Sequence, residues 1–162
     1  MFQVGDKIVY PVFGTCIIDA VEEKEILGEK KLFYIVNITK TRMQISVPID
    51  KATRLGIRLI VEPEVLESVL NGLNLGDTDP VIFENKRFCT TINTQKIKTG
   101  DIFKGTEVIR DLTRKGKRSK LGIDDSKMLI NARQVFLSEL MEVKSIEEEQ
   151  AILLLDESLC SG

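Results

Sequence analysis

Hydrophobic and polar positions alternate along the first 60 residues, in short runs rich in β-branched and aromatic side chains. Alternation with a period of two is typical of strands that bury one face. Turn-forming residues separate these runs, which lie at residues 7–10, 14–21, 31–38 and 43–48. Roughly five short antiparallel strands in this length predict a small SH3- or Tudor-like β barrel, because the curvature of a barrel removes most free strand edges.

The hydrophobic period changes to about 3.6 after residue 60, which indicates helices. Residues 76–80 are turn-forming and end the first helix. A second helix is predicted from about Asn85 to Lys98, and a third begins at Asp101, a residue type that caps helices well. The predicted apolar faces are Val65, Leu66, Val69, Leu70 and Leu73 in the first helix, and Ile102, Val108, Ile109 and Leu112 in the third.

The end of the chain predicts a loop and two more helices. Residues 115–122 are predicted as the loop, and Asp124 or Asp125 as the cap of a long helix. Ser145 and Glu148 have the spacing of a capping box that opens the last helix. The apolar face of the long helix comprises Met128, Leu129, Ala132, Val135, Phe136 and Leu140.

Together the two patterns predict an α+β protein, with a β barrel over residues 1–60 followed by an all-α helical domain over residues 61–162. The 162 residues, with 43% hydrophobic and 30% charged side chains, are typical of a chain that folds into a globular structure. No apolar run approaches the length of a membrane span, and the N-terminus has no signal-peptide pattern. We therefore expect a cytoplasmic protein with no membrane partner.

The chemistry-bearing residues are sparse. The chain has no His, which excludes the commonest general base and metal ligand. Its cysteines, Cys16, Cys89 and Cys160, are too scattered for a disulfide framework or a zinc site. The sequence predicts a protein that is not an enzyme, with no catalytic residues, no metal, no cofactor and no small-molecule substrate.

Charge is distributed in blocks. Residues 85–133 contain 13 Lys and Arg against 5 Asp and Glu, whereas the flanking segments 61–84 and 134–162 are acidic. Local patches of one sign govern attraction to polyanions, and they are hidden by the net charge of −2. The basic block fits either ordinary solvated helix faces or a nucleic-acid contact.

Several motifs resemble those of the CarD/CdnL family of bacterial transcription regulators, whose N-terminal domain is shared with the transcription-repair coupling factor. In the first half these motifs lie at residues 5–11, 14, 26–29, 47–48 and 56–58. In the second half they lie at residues 85–88, 96–101, 108–112, 114–115 and 127–134. Each is weak alone, but their order and spacing cover nearly the whole chain.

The resemblance implies that residues 1–60 bind the β subunit of RNA polymerase. Lys24 stands where the family places a polymerase-contacting Arg, and Ser46 stands at a second such basic position. Lys40 or Arg42 replaces the missing charge in this interpretation, and Ile26 completes the candidate set. A small barrel with charged strands suits docking by strand addition, in which backbone hydrogen bonds supply affinity.

The resemblance also implies that the helical domain touches promoter DNA at the upstream edge of the melted region. Family members commonly carry a Trp wedge here, but Glu84 occupies that place and the chain has no Trp. Phe83 is a substitute wedge or a core residue. Because phosphate contacts give affinity without reading sequence, we expect weak, non-specific binding. The candidate DNA-binding residues are Phe83, Glu84, Lys86, Arg87, Phe88, Arg114, Lys115, Lys117, Arg118 and Lys127.

Two alternatives remain open at this stage. The first is a diverged paralogue whose helical domain is a protein-interaction module without wedge activity, which Glu84 and the acidic flanks would allow. The second is an unrecognised enzyme, which the absence of His argues against.

Overall fold

The computed structural model describes residues 1–160, and its elements follow the predicted order of strands and then helices. The strands are β1 (Lys7–Tyr10), β2 (Gly14–Ile26), β3 (Glu29–Ile38), β4 (Gln44–Pro48) and β5 (Arg58–Leu59), with a 3-10 turn at Ile49–Lys51 before β5. The helices are α1 (Pro63–Gly72), α2 (Val81–Glu84), α3 (Lys86–Lys98), α4 (Ile102–Arg118), α5 (Ile123–Lys144) and α6 (Glu148–Cys160).

The five strands form one antiparallel sheet in the order β4-β3-β2-β1-β5. A β-bulge between Ile18 and Ala20 shifts the pairing of β2 with β3, and bulges of this kind bend a strand. The sheet buries Ile8, Cys16, Ile18, Tyr34, Val36, Ile38, Val47, Ala52 and Ile57 on its inner side. The predicted α+β class, with five strands ahead of the helices, is confirmed.

The β2–β3 hairpin is longer than the alternation predicts. It extends to Leu27 and Gly28, which form a two-residue turn with φ angles of 52° and 80°. Two successive left-handed residues are the requirement of a type I′ turn, which matches the twist of the strands. The hairpin therefore projects several residues beyond the sheet core.

The helices pack around a second core, to which every predicted apolar face contributes. Its buried members are Leu66, Val69, Leu70, Leu73, Ile102, Ile109, Ala132, Phe136, Leu137, Leu140, Ala151, Leu155 and Leu159. A smaller cluster of Ile82, Cys89, Val108 and Leu112 lies between α2, α3 and α4.

The predicted loop at residues 115–122 is wrong over its first half, because α4 continues to Arg118. Lys and Arg are good helix formers and are favourable in a last helical turn, where they face the negative end of the helix dipole. The predicted cap at Asp124 or Asp125 is also wrong. Gly122 is the N-cap of α5, and Asp125 is buried in its first turn.

The predicted capping box at Ser145 is wrong as well. Ser145 ends α5 in a left-handed conformation with φ of 53°, and α6 begins at Glu148. The backbone N–H of Glu147 donates to the side chain of Gln150 at 3.2 Å. This bond is one half of a capping box, and it lies two residues further along the chain than the predicted box.

The sheet and the helices meet at a buried ion pair. Arg58 on β5 donates two hydrogen bonds to the Glu139 carboxylate on α5, at 2.7 and 2.8 Å, and a third to the carbonyl of Gly100 at 2.5 Å. Glu139, which is only 1% exposed, also accepts from the backbone N–H of Val61. The backbone of Gly56 packs so closely on Gly100 that a Cβ on Gly100 would lie 2.0 Å from the Gly56 carbonyl oxygen.

Two further contacts join the same surfaces. Thr15 on β2 donates from both its backbone N–H and its hydroxyl to Ser138 Oγ, at 3.0 and 2.9 Å. Lys7 on β1 forms a salt bridge of 2.5 Å with Glu142. Since the contacts come from three strands and one helix, α5 is anchored along the sheet at several points.

Candidate functional site

The outer half of the β2–β3 hairpin exposes apolar side chains on both of its faces, among charged residues. Leu27 is fully exposed at the tip, and Ile26 and Leu32 are about half exposed. Val21, which lies further from the tip on β2, is also exposed. Exposed apolar side chains grouped on one element mark interaction surfaces more often than isolated ones do. We call residues 21–32 the docking hairpin.

Lys24 and Ser46 come together on this surface. The Lys24 ammonium donates to Ser46 Oγ at 2.7 Å and lies 5.6 Å from the centroid of the Phe33 ring. Both contacts hold the Lys24 side chain across β3, towards β4. Lys40 and Arg42 lie in the turn after β3, at the far end of that strand from Lys24.

Sequence reasoning did not include Leu27 and Leu32 among the candidate docking residues. The available signal was a leucine placed at a turn between charged segments, where an apolar side chain has no core to enter. The five candidates in the first half therefore divide into two places: Lys24, Ile26 and Ser46 belong to the docking hairpin and its neighbour, and Lys40 and Arg42 to the β3–β4 turn.

The basic block contains a row of three arginines on α4. Arg110, Arg114 and Arg118 are spaced by four residues, so they lie on one helix face. The first two bind the linker between α1 and α2 through its carbonyl oxygens. Arg110 donates to Leu75 and Asp77, and Arg114 to Gly76 and Asn74, over 2.8 to 3.4 Å.

Arg118 has a different environment. Its guanidinium carbon lies 3.6 Å from the centroid of the Phe83 ring, and within residues 1–160 the guanidinium makes no hydrogen bond or salt bridge. The two side chains border a groove of about 530 Å³ that is open to solvent. The rest of its lining is Asp77, Thr78, Arg114 and Lys117. Phe83 is half buried on α2, a short helix that sequence reasoning did not predict.

Lys115 points into the protein instead. Its ammonium donates to Asp125 at 2.7 Å and to Cys89 Sγ at 3.5 Å, and Asp125 is only 4% exposed. Burial acts to lower the pKa of Lys115, but the hydrogen bond and the charge of Asp125 outweigh it and raise that pKa. Burial also raises the pKa of the Cys89 thiol, and the Asp125 carboxylate adds to this rise, so the thiol is a poor nucleophile at neutral pH.

Basic side chains at the starts of α3 and α5 face solvent. Lys86 and Arg87 open α3, which is capped by the Asn85 side chain accepting from the Phe88 N–H at 3.1 Å. Phe88, which follows them, is 56% exposed, and Glu84, which precedes them, is also exposed. Lys86 Nζ lies next to Gly122, which places the start of α3 beside the start of α5.

The cations among the predicted DNA contacts thus separate into two sets, and Arg58 and Arg110, which are not among those predicted contacts, belong with the first set. The inner cations are held by carboxylates or carbonyl oxygens of the protein: Arg58, Arg110, Arg114 and Lys115. The outer cations are exposed, and none forms a salt bridge within residues 1–160: Lys86, Arg87, Lys117, Arg118 and Lys127. The charges of the inner cations are engaged within the protein, so the outer cations are the predicted DNA contacts that present their charge to a ligand.

The described part of the chain has neither a group of metal-ligating side chains nor a membrane-spanning helix. Across residues 1–160, no three His, Cys, Asp or Glu side chains are grouped so that they could hold a metal ion. None of the helices in that range has the length and apolar character needed to cross a membrane.

Comparisons with known proteins agree with this arrangement. The family model for the CarD-like/TRCF RID domain matches residues 2–61, and the model for the CarD C-terminal domain matches residues 68–156. The transcription factor YdeB of Bacillus subtilis (strain 168) is 40% identical over 150 residues, which are 93% of this chain and 97% of that protein. The fold and these matches define a transcription factor.

Within that class, the chain belongs to the CarD family. The resemblance drawn from the sequence motifs is therefore confirmed, and the family is one of transcription regulators.

Proposed function

We propose that this CarD-family chain binds the β subunit of RNA polymerase through the docking hairpin and contacts promoter DNA through the outer cations. In doing so it alters the stability of the open complex. The observation that carries the proposal is the separation of two exposed surfaces, an apolar one on the sheet and a cationic one on the helices. We further propose residues 1–60 and 61–162 as the two functional domains.

The docking half of the proposal rests on the exposure of Ile26 and Leu27 beside Lys24. Leu32, which pairs with Glu23, is exposed on the opposite face of the hairpin. Apolar side chains that become buried at an interface contribute most of its affinity, and a neighbouring charge fixes orientation and partner choice. The edge strand β4, which carries Ser46, adds free backbone groups for strand addition. Lys40 and Arg42 serve as rim charges on the same sheet.

The DNA half rests on the five outer cations, with Phe88 as an exposed apolar surface among them. Contacts from Lys and Arg to phosphates supply affinity without reading bases, so binding is weak and non-specific. Glu84 stands beside these cations and repels phosphates, which lowers the affinity further. Arg114 and Lys115 support the surface from inside rather than contacting DNA.

A second candidate is a protein-interaction role for the helical part, without DNA contact. One observation favours it: two members of the basic block, Arg114 and Lys115, have their charges engaged within the protein. Fewer free cations mean fewer phosphate contacts. A DNA-binding measurement therefore separates the two candidates.

The test uses the full-length chain and purified RNA polymerase. Lys24→Glu and Leu27→Ser are expected to weaken polymerase binding, by about 1–3 kcal/mol for the charge reversal if the contact is partly desolvated. Lys51→Glu, an exposed charge reversal in the 3-10 turn, is the matched control and should leave affinity unchanged. Equal affinities for all four proteins would place the docking surface elsewhere on the chain.

A further inference from the structure

A second groove lies between the sheet and the helices, at the end of β3 that is farther from the docking hairpin. Its volume is about 330 Å³, and it opens to solvent. The turn between β1 and β2, the turn after β3, α5 and the start of α6 form its walls. We call it the sheet–helix groove, and its rim includes Val12, Phe13, Lys40, Gln134, Met141 and Glu148.

Hydrogen bonds tie the walls of this groove together. Asn131 on α5 donates to the carbonyl of Val12 in the β1–β2 turn at 3.1 Å. The backbone N–H of Thr39 donates to the carbonyl of Thr15 at 3.1 Å, and Thr15 in turn donates to Ser138 on α5. Because the turn, the strand end and the helix are each fixed, the groove is formed before a partner binds, which lowers the ordering cost of binding.

The inner lining of the groove selects an apolar ligand group. Thr15 and Leu137 are the buried members of this lining. The Ser138 hydroxyl accepts from both donors of Thr15 and itself donates to the carbonyl of Val135 at 2.7 Å. A polar group that entered would lose its hydrogen bonds to water and find these partners engaged, which costs free energy. The group that enters is therefore apolar, and the volume suits one large side chain rather than a whole helix.

Charges of both signs lie at the rim. Lys40 comes from the sheet side and Glu148 from the first turn of α6, and both are exposed. Within residues 1–160 neither of them forms a salt bridge. Glu142, another carboxylate of the lining, pairs with Lys7 at 2.5 Å. The complementary ligand thus carries a carboxylate on one side of its apolar group and a cation on the other, as a protein segment can.

The position of the groove relative to the docking hairpin indicates which protein supplies that segment. The hairpin spans only residues 21–32, whereas a stable interface takes about 20–30 residues of each partner. β3 runs from the hairpin to the groove, and its ten residues cover about 30 Å at roughly 3.3 Å per residue. A partner that holds the hairpin can therefore reach the groove along the same strand.

We propose that the sheet–helix groove binds one apolar side chain of RNA polymerase, flanked there by an acidic and a basic residue, as a second anchor in addition to the docking hairpin. This inference rests on the proposed polymerase binding and adds a second point of contact to it. It gives Lys40 a role separate from that of Lys24, since the two charges lie at opposite ends of β3.

The experiment measures the affinity of full-length variants for purified RNA polymerase. Gln134→Trp fills the groove from an exposed position, and Lys40→Glu reverses the charge at the rim. Each is expected to weaken binding at least about fivefold. Gln134→Ala leaves the groove open, and Lys51→Glu reverses an exposed charge outside it, so these matched controls should bind as the wild type does.

Two further measurements accompany the affinities. Urea unfolding shows whether each variant is folded, and Lys40→Glu carries the test if Gln134→Trp lowers the midpoint. A photoreactive benzophenone amino acid in place of Gln134 is expected to cross-link to a polymerase subunit.

Several results would overturn the inference. If the folded groove variants bind polymerase as the wild type does, the groove is not an anchor. If Gln134→Ala weakens binding as much as Gln134→Trp, the loss does not come from filling the groove. A cross-link to a second copy of the chain in place of polymerase would identify the wrong occupant. If Leu27→Ser weakens binding and the groove variants do not, this inference alone is wrong, whereas unchanged affinity in all of them rejects the proposed docking as well.

Discussion

The inner and outer cations differ in their surroundings, although all of them except Arg58 come from the same basic segment. The inner cations bond to groups of the protein, and the outer cations face solvent. Lys115 and Lys117 are two residues apart on α4, but the first bonds to buried Asp125 and the second lies on the rim of a groove. Charge density in the sequence therefore overstates the charge available to a ligand. We expect changes at inner cations to act on folding and changes at outer cations to act on binding.

The largest effect is expected at the ion pair between sheet and helices. Glu139→Ala leaves the Arg58 guanidinium and the Val61 N–H without their acceptor in a buried place. Removing one partner of a buried pair costs about 3–5 kcal/mol, and urea unfolding measures this loss. Glu142→Ala, one turn later on α5, removes a more exposed carboxylate and should cost less than about 1 kcal/mol. Similar losses of unfolding free energy for the two variants would contradict the distinction between the buried and the more exposed ion pair.

A smaller effect is expected from Lys115→Met. The change leaves Asp125 buried without its cation, and we expect a loss of about 2–3 kcal/mol because Lys115 itself is partly exposed. Lys117→Met, two residues away and exposed, should change stability by less than about 0.5 kcal/mol. If Lys115→Met instead flattens the salt dependence of DNA binding and leaves the folding stability unchanged, Lys115 is an outer cation and its assignment to the inner set is wrong.

Alkaline pH should destabilise the folded protein through a buried thiol. Burial raises the pKa of the Cys16 thiol from 9.0 to about 11, so the folded protein keeps a proton that the unfolded chain loses. The contribution is complete below pH 9 and is lost as pH rises towards 11. We expect a loss of about 2 kcal/mol by pH 10.5 in urea unfolding. A Cys16→Ala variant with the same pH dependence would refute the assignment.

The smallest effects are expected at the outer cations. Arg87→Ala and Lys117→Ala should each flatten the slope of log affinity against log salt by about 1 and weaken binding of all DNA sequences alike. Folding stability should stay within about 0.5 kcal/mol of wild type. A salt titration with promoter DNA and polymerase present measures the slopes. Unchanged slopes would favour the protein-interaction role of the helices.

Much of the fold was predictable because it depends on local periodicity. The strands and the apolar faces of α1, α4 and α5 follow directly from the spacing of their hydrophobic residues. The errors lie at helix ends. α4 continues through the basic residues, where Lys115 also has a buried acceptor on α5 that no local pattern shows, and Ser145 ends a helix rather than opening one.

The candidate site was predictable in its residue types but not in their directions. The family motifs located Lys24, Ser46 and the basic block. They did not show that Arg114 faces the linker and Arg118 the ring of Phe83, because that difference arises from α2, a four-residue helix without a periodic signal of its own. Leu27 was missed because the signal it gives, a leucine in a turn between charged segments, is not a periodic pattern.

The arginine row on α4 also bears on how the sequence can drift during evolution. One residue inserted between Arg110 and Arg118 would rotate the later side chains by about 100° and move them off their shared face. Leu75 and Asp77, in contrast, are held by α4 through backbone carbonyls, which every amino acid provides. Among relatives, these two linker positions should therefore vary freely in residue type, while insertions and deletions should be rare in both segments.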